Sequence, residues 1–137
     1  MPKQVVHSTG VLTREPQTAS IQINIVNLDR NYAHSINVEI LDWSNHSNPV
    51  QLPILVGENK VVTFPYYLDS GNLAVLYADL DDKINLYEIR ITHFDHSNII
   101  TNCSGRSSSS STAQEGDKVY HKQLVRVHQG YIPHQIL

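Results

Sequence analysis

The densest group of chemistry-bearing side chains is His93-Phe94-Asp95-His96, two imidazoles and a carboxylate within four residues. On a loop this group supplies two or three metal ligands, and His46, His121 or His128 would have to complete the shell through space. No further ligand stands at a recognisable spacing, so the expectation is a polar turn and no metal centre. Cys103 is the single cysteine and cannot form a disulfide within the chain. It is either a small buried core residue or, with its sulfur exposed, an intermolecular bridge. There is no Gly-x-Ser-x-Gly elbow and no Gly-x-Gly-x-x-Gly or other phosphate-cradling loop, and the six glycines are scattered. The carboxylates Asp42, Asp81 and Asp82 read as solvated turn residues. The chain is therefore expected to be no enzyme and to need no cofactor. Trp43, Tyr66, Tyr67 and Tyr77 are the remaining candidates: on one flat face they would stack on a sugar ring, and turned inward they would fill a core.

The elements that must position these residues are strands. Ile21, Ile23 and Ile25 alternate with Gln22 and Asn24; Ile36, Val38 and Ile40 repeat the pattern; Tyr87, Ile89 and Ile91 alternate with Glu88 and Arg90. A period of two makes one face of each segment dry and the other wet. Pro49 and Pro53 restrict residues 49–55 to an edge or an extended stretch. Residues 73–80 are apolar or aromatic except Asp79, so this segment is either covered on both faces or offers one to a partner. Turn signals fall at residues 44–49, 57–59, 69–72, 81–82 and 93–98. The spacing predicts seven strands over residues 20–104, and with one near the C-terminus an antiparallel β-sandwich, jelly-roll or immunoglobulin-like, of about seven or eight strands.

The ends differ from this middle. Residues 1–19 carry Val5, Val6, Val11 and Leu12 as two apolar pairs interrupted by Gly10 and Pro16, which suggests an extended N-terminal arm. Residues 106–117, with five consecutive serines, read as a flexible loop, and residues 118–137 as a C-terminal strand and extension. The 137 residues are 40% hydrophobic and 17% charged, with a formal charge of -3. That amount of apolar chain suits one domain, and the mild acidity gives no field for gripping a phosphate backbone, so no nucleic acid is expected. No apolar run approaches the ~20 residues of a membrane span, and no signal segment opens the chain. The expectation is a soluble protein without membrane insertion. Residues 21–104 carry ten acidic and four basic side chains, whereas both ends are net basic. A terminal segment docking on the acidic body of a neighbouring subunit would exploit that difference.

Residues 38–43 (Val-Glu-Ile-Leu-Asp-Trp), 49–52 (Pro-Val-Gln-Leu), 87–92 (Tyr-Glu-Ile-Arg-Ile-Thr) and 98–102 (Asn-Ile-Ile-Thr-Asn) resemble small β-sandwich proteins of spore-forming Bacillus-type bacteria, over roughly residues 20–105. Within that group the chain is similar to the subunits of endospore appendages. The resemblance implies a structural subunit that joins others by strand augmentation and an N-terminal arm, on a spore or extracellular surface, with itself and other spore-surface proteins as partners. The arm here has no cysteine, so contacts would be non-covalent apart from any bridge through Cys103. The residues expected to be buried between chains are Val5, Val6, Val11, Leu12, Leu73, Val75 and Tyr77. The competing readings are a monomeric carbohydrate-binding module, with Trp43, Tyr66 and Tyr67 as its platform, and a phage or capsid accessory protein.

Overall fold

The computed structural model describes residues 3–107 and 113–127. The alternating segments become long strands: β1 (Gln4–Thr13), β2 (Thr18–Asn27), β3 (His34–Asp42), β8 (Leu73–Asp79), β9 (Leu86–Phe94) and β10 (Ile99–Ser107). Between β3 and β8 run four short pieces, β4 (Val50–Gln51), β5 (Leu55–Val56), β6 (Lys60–Val61) and β7 (Tyr66–Leu68). After β10 come β11 (Ala113–Val119), a one-turn 3-10 helix (His121–Gln123) and β12 (Val125–Arg126). The twelve strands form two packed antiparallel sheets. One has the order β12-β1-β9-β3-β4, with β7 also pairing β3; the other runs β11-β10-β2-β8-β5-β6. Among the described residues no helix is long and apolar enough to cross a membrane.

The core lies between the sheets and consists of the dry faces that the alternation marks out. Ile36, Val38 and Ile40 of β3 and Tyr87, Ile89 and Ile91 of β9 face Ile21, Ile23 and Ile25 of β2, Ala74, Leu76 and Ala78 of β8, and Cys103 of β10. The three isoleucines of β2 are fully buried, each contributing about 2 kcal/mol of transfer free energy. Branched side chains stiff at χ1 suit this pleated interior and lose little rotamer freedom there.

Four expectations are corrected. Residues 4–13 are not an arm but β1, hydrogen-bonded along β9 from Gln4↔Phe94 to Thr13↔Leu86. Gly10, which looked like a break, takes φ +69° at a bulge between Ser8 and Val11, and its N–H is bonded to the Ser8 hydroxyl at 2.8 Å. The extra residue shifts the alternation by one, so the period of two is lost in the sequence but kept in space. Residues 106–117 are not one loop: Arg106 and Ser107 end β10, Ala113 to Asp117 lie in β11, and only 108–112 fall outside the described residues. Of residues 118–137, expected as a C-terminal strand and extension, the described part is the end of β11, a 3-10 turn and the two-residue β12, and residues 128–137 lie outside the described residues. The count of seven or eight strands becomes twelve because β1 and β11 join the sheets and the proline-interrupted region pairs in short pieces.

Candidate functional site

Three regions bring polar or exposed apolar side chains together outside the core. The first is the outer face of the sheet containing β8. Its register sets Ile100, Val26 and Leu73 in one row, Asn102, Asn24 and Val75 in the next, and Ser104, Gln22, Tyr77, Leu55 and Val61 in a third. Directly paired residues share a face, so the apolar members form one patch, with Leu73 59% and Val61 65% exposed and Val75 and Ile100 also exposed. None of these three rows contains a charged side chain. Tyr77 is held at the patch: its hydroxyl donates to the Gly57 carbonyl and accepts the Asn59 N–H, both at 2.8 Å.

The second region is the outer face of the other sheet. Glu88 accepts hydrogen bonds from Ser8 Oγ (2.5 Å), Trp43 Nε1 (2.8 Å) and Arg90 Nε (3.0 Å). Burial alone pushes the Glu88 carboxyl up, but these three donors outweigh it and hold the group below the usual carboxylate range. Trp43, fixed by this bond, lines a shallow cleft with Val11, His46 and Leu86. Tyr66 and Tyr67 pair with Ile36 and Ser35 at the opposite end of β3, about 23 Å away at ~3.3 Å per residue. The structure therefore does not assemble Trp43, Tyr66 and Tyr67 into one platform.

The third region is the open side of the sandwich, where β11, the 3-10 turn and β12 cross from one sheet to the other. At one end Asp117, 1% exposed, accepts the Glu15 N–H (3.0 Å), the Thr18 hydroxyl (3.1 Å) and the Tyr87 hydroxyl. Gly105 makes this possible, because a Cβ there would lie 2.6 Å from Asp117 Cβ. Burial and the Asp117 carboxylate together raise the Tyr87 phenol far above its normal value. At the other end His7 of β1 stacks on His93 of β9, ring centroids 5.3 Å apart, and lies 6.1 Å from His121.

Of the expected metal group, His93 is buried, with Nδ1 2.9 Å from both the Phe94 carbonyl and the Ser97 hydroxyl. His96 points to solvent with φ +66°, and Asp95 pairs with Arg126 at 3.5 Å. His46 is exposed on the far side of the molecule at the Trp43 cleft, and His128 lies outside the described residues. No group of three His, Cys, Asp or Glu among the described residues could hold a metal ion. Cys103 is 3% exposed and burial pushes its thiol up to about 12, so the folded chain offers no sulfur for an intermolecular bridge. Val5 and Leu12, expected between chains, face this chain's own interior; Val6 is half-buried and Val11 exposed. Leu73, Val75 and Tyr77 do lie together on an outer face. Asp117 and His7 were not singled out from the sequence, and His121 was named only as a distant metal ligand; their partners are up to 114 residues away in the chain.

No family model, curated protein or solved structure matches this chain.

Proposed function

We propose that the protein is a structural subunit that associates with further copies of itself through the outer face of the β8-containing sheet and the edges of that sheet. The observation that carries this reading is the uncharged apolar patch of Ile100, Val26, Leu73, Val75, Leu55 and Val61. Exposed contiguous apolar surface on a small domain marks an interaction site. The three rows of the patch carry no charge, and the next row of the same face holds Asp79 and Arg106 on either side of Ser20. The uncharged rows can meet those of a second copy without setting like charges against each other, which favours a self-complementary contact. β6 and β11 are the terminal strands of the sheet, and their outer backbone edges are where another chain's strand would extend it. Docking through an N-terminal arm is no part of the proposal, since β1 is committed to its own sheet.

The strand order supports a jelly roll as the finer description of the sandwich. β1-β9-β3-β7 opposite β2-β8-β5-β6 follows the interleaving of two Greek keys, with β10 and β11 added beyond β2 and β12 beyond β1. The placement in a spore or cell-surface layer is carried by the sequence resemblance. The test is light scattering and negative-stain electron microscopy of the full chain at neutral pH, with and without reductant. Assemblies that persist in reductant and dissolve in a Leu73→Lys, Val75→Lys double variant are expected. A wild-type monomer of 15.5 kDa at every concentration overturns the reading.

A second reading, a sugar-binding module, keeps one supporting observation: the Trp43 ring lining the cleft with Val11 and Leu86. Glycan binding by the wild type that is lost in Trp43→Ala would favour it over assembly.

A further inference from the structure

The segment from Tyr120 to Val127 covers part of the exposed edge of β1. β12 pairs with it only at His7↔Arg126 and Ser8↔Val125, and the Val127 N–H donates to the Val6 carbonyl at 2.8 Å. Among the described residues a small set of further groups holds the segment. Leu124 rests on the core, Arg126 pairs with Asp95, and the His121 N–H donates to Asn102 Oδ1 at 2.9 Å. One further bond is sensitive to protonation: the Thr101 N–H donates to Nδ1 of His121 at 3.1 Å. A backbone N–H has nothing to accept with, so this ring nitrogen must carry a lone pair, and an imidazolium cannot make the bond.

The neighbouring rings add to the same effect. His7 Nδ1 is buried without a hydrogen-bond partner, so a proton placed on it would be an unsatisfied donor. His7 and His93 are stacked; charging His7 sets a cation against the other two imidazoles and against Arg126, and charging His93 sets one against His121 and His34. Asp95 acts on both His7 and His93 in the opposite sense, and it is shared with Arg126. His34 on β3 adds a further field at His93 and is itself paired with Asp29. Burial, then the neighbouring imidazoles, lower the affinity of His7 for a proton; for His93, burial is the main cause.

We propose that His7, His93 and His121 form an acid-sensitive latch that keeps residues 120–127 over the edge of β1 at neutral pH and releases them when the cluster is protonated. His7 and His93, whose burial among neighbouring imidazoles disfavours the proton, bind it more readily once the segment opens, so opening becomes easier as pH falls below about 6.5, the ordinary histidine value. Release uncovers the backbone of Val6, His7 and Ser8. The occupant that fits this edge is the same 120–127 segment of a second copy, because the pairing is already made within one chain and exchange of an identical element needs no new contact. That last use of the edge rests on the assembly reading above; the latch itself does not.

The test is amide hydrogen exchange of the full chain at pH 7.5 and pH 5, corrected for the intrinsic rate. Protection at the Thr101 and Val127 amides is expected to fall by about tenfold or more at pH 5, while the β2 amides paired with β8 and β10 keep theirs. In a His7→Leu, His121→Gln double variant, which retains an acceptor at position 121 without a titrating ring, the fall is expected to shrink to about twofold or less. Equal protection of wild type at both pH values overturns the latch, and so does an equal fall at the β2 amides. If the double variant is poorly folded, His93→Gln serves in its place with the same expectation of a smaller fall. Exchange is read on dilute protein, so a chain that never assembles still decides the latch, and an assembling chain with no pH-dependent exchange refutes it alone.

Discussion

The two ends of the C-terminal run hold the same open side of the sandwich by opposite means. At the Asp117 end one buried carboxylate receives three donors, from the turn before β2, from β2 and from β9, and a glycine leaves room for it. At the histidine end, about 20 Å along β9 at ~3.3 Å per residue, three rings crowd together and one buried nitrogen has no partner. A charge that is fully hydrogen-bonded makes a permanent clamp, because removing any partner strands the others in a dry interior. A cluster in which His7 and His93 resist protonation and His121 must accept a backbone N–H makes a conditional one. The comparison teaches that burial alone does not say how firmly a segment is held; the match of donors to acceptors does.

The sharpest way to break this contrast is Asp117→Ala. It leaves the Tyr87 and Thr18 hydroxyls and the Glu15 N–H without their acceptor, and a loss of about 3 kcal/mol in urea unfolding is expected. Gly105→Ala attacks the same clamp sterically: the new methyl would meet Asp117 Cβ at 2.6 Å and Thr18 Cγ2 at 2.8 Å, and about 2 kcal/mol should be lost. The pH dependence separates the two ends. His7 and His93 have lowered folded-state values, so their contribution is constant above about 6.5 and declines as pH falls below it. Glu88 is also lowered, but for a carboxylate the stabilisation is present above the ordinary value of about 4.5 and is lost only as pH falls below that. Unfolding midpoints measured from pH 8 to pH 3 should therefore decline in two stages, and His7→Leu should remove most of the first. The smallest effect on the fold is expected from Leu73→Lys, on an outer face that neither clamp touches. Its unfolding free energy should stay within about 0.5 kcal/mol of wild type, so any change in association reports on the surface alone.

Much of the sandwich was legible in the residues. The alternation at 21–25, 36–40 and 87–91 assigns each side chain to a face, and those faces are the core. The apolar excess of residues 73–80 became an inner face of Ala74, Leu76 and Ala78 and an outer face of Leu73 and Val75, as a strand requires. β1 was hidden because a bulge at Gly10 shifts its period by one residue, and a pattern read along the chain cannot tell a bulge from a break. β11 was hidden for a different reason: Ala-Gln-Glu-Gly-Asp-Lys-Val has no apolar alternation, and its place in the sheet comes from backbone pairing with β10 and from Asp117. Asp117 fell at the end of the segment read as a flexible loop, and nothing local marks it, since its partners are 30, 99 and 102 positions away.

The candidate sites divide along the same line. Leu73, Val75 and Tyr77 could be placed on one face from local sequence, because a strand's geometry is local. The local triple His93, Asp95 and His96 did not survive as a unit: at the β9–β10 turn its members point inward, sideways and out. His93 instead joins His7 and His121, which no spacing rule connects. The sequence by itself determined the regularly alternating strands, their dry faces and the lack of a disulfide within the chain, all of which follow from side-chain period and composition. Only the tertiary structure decided which strands are neighbours, which polar groups are sealed inside, and which histidines meet. Those depend on chain crossings between sheets, and a period of two carries no information about them.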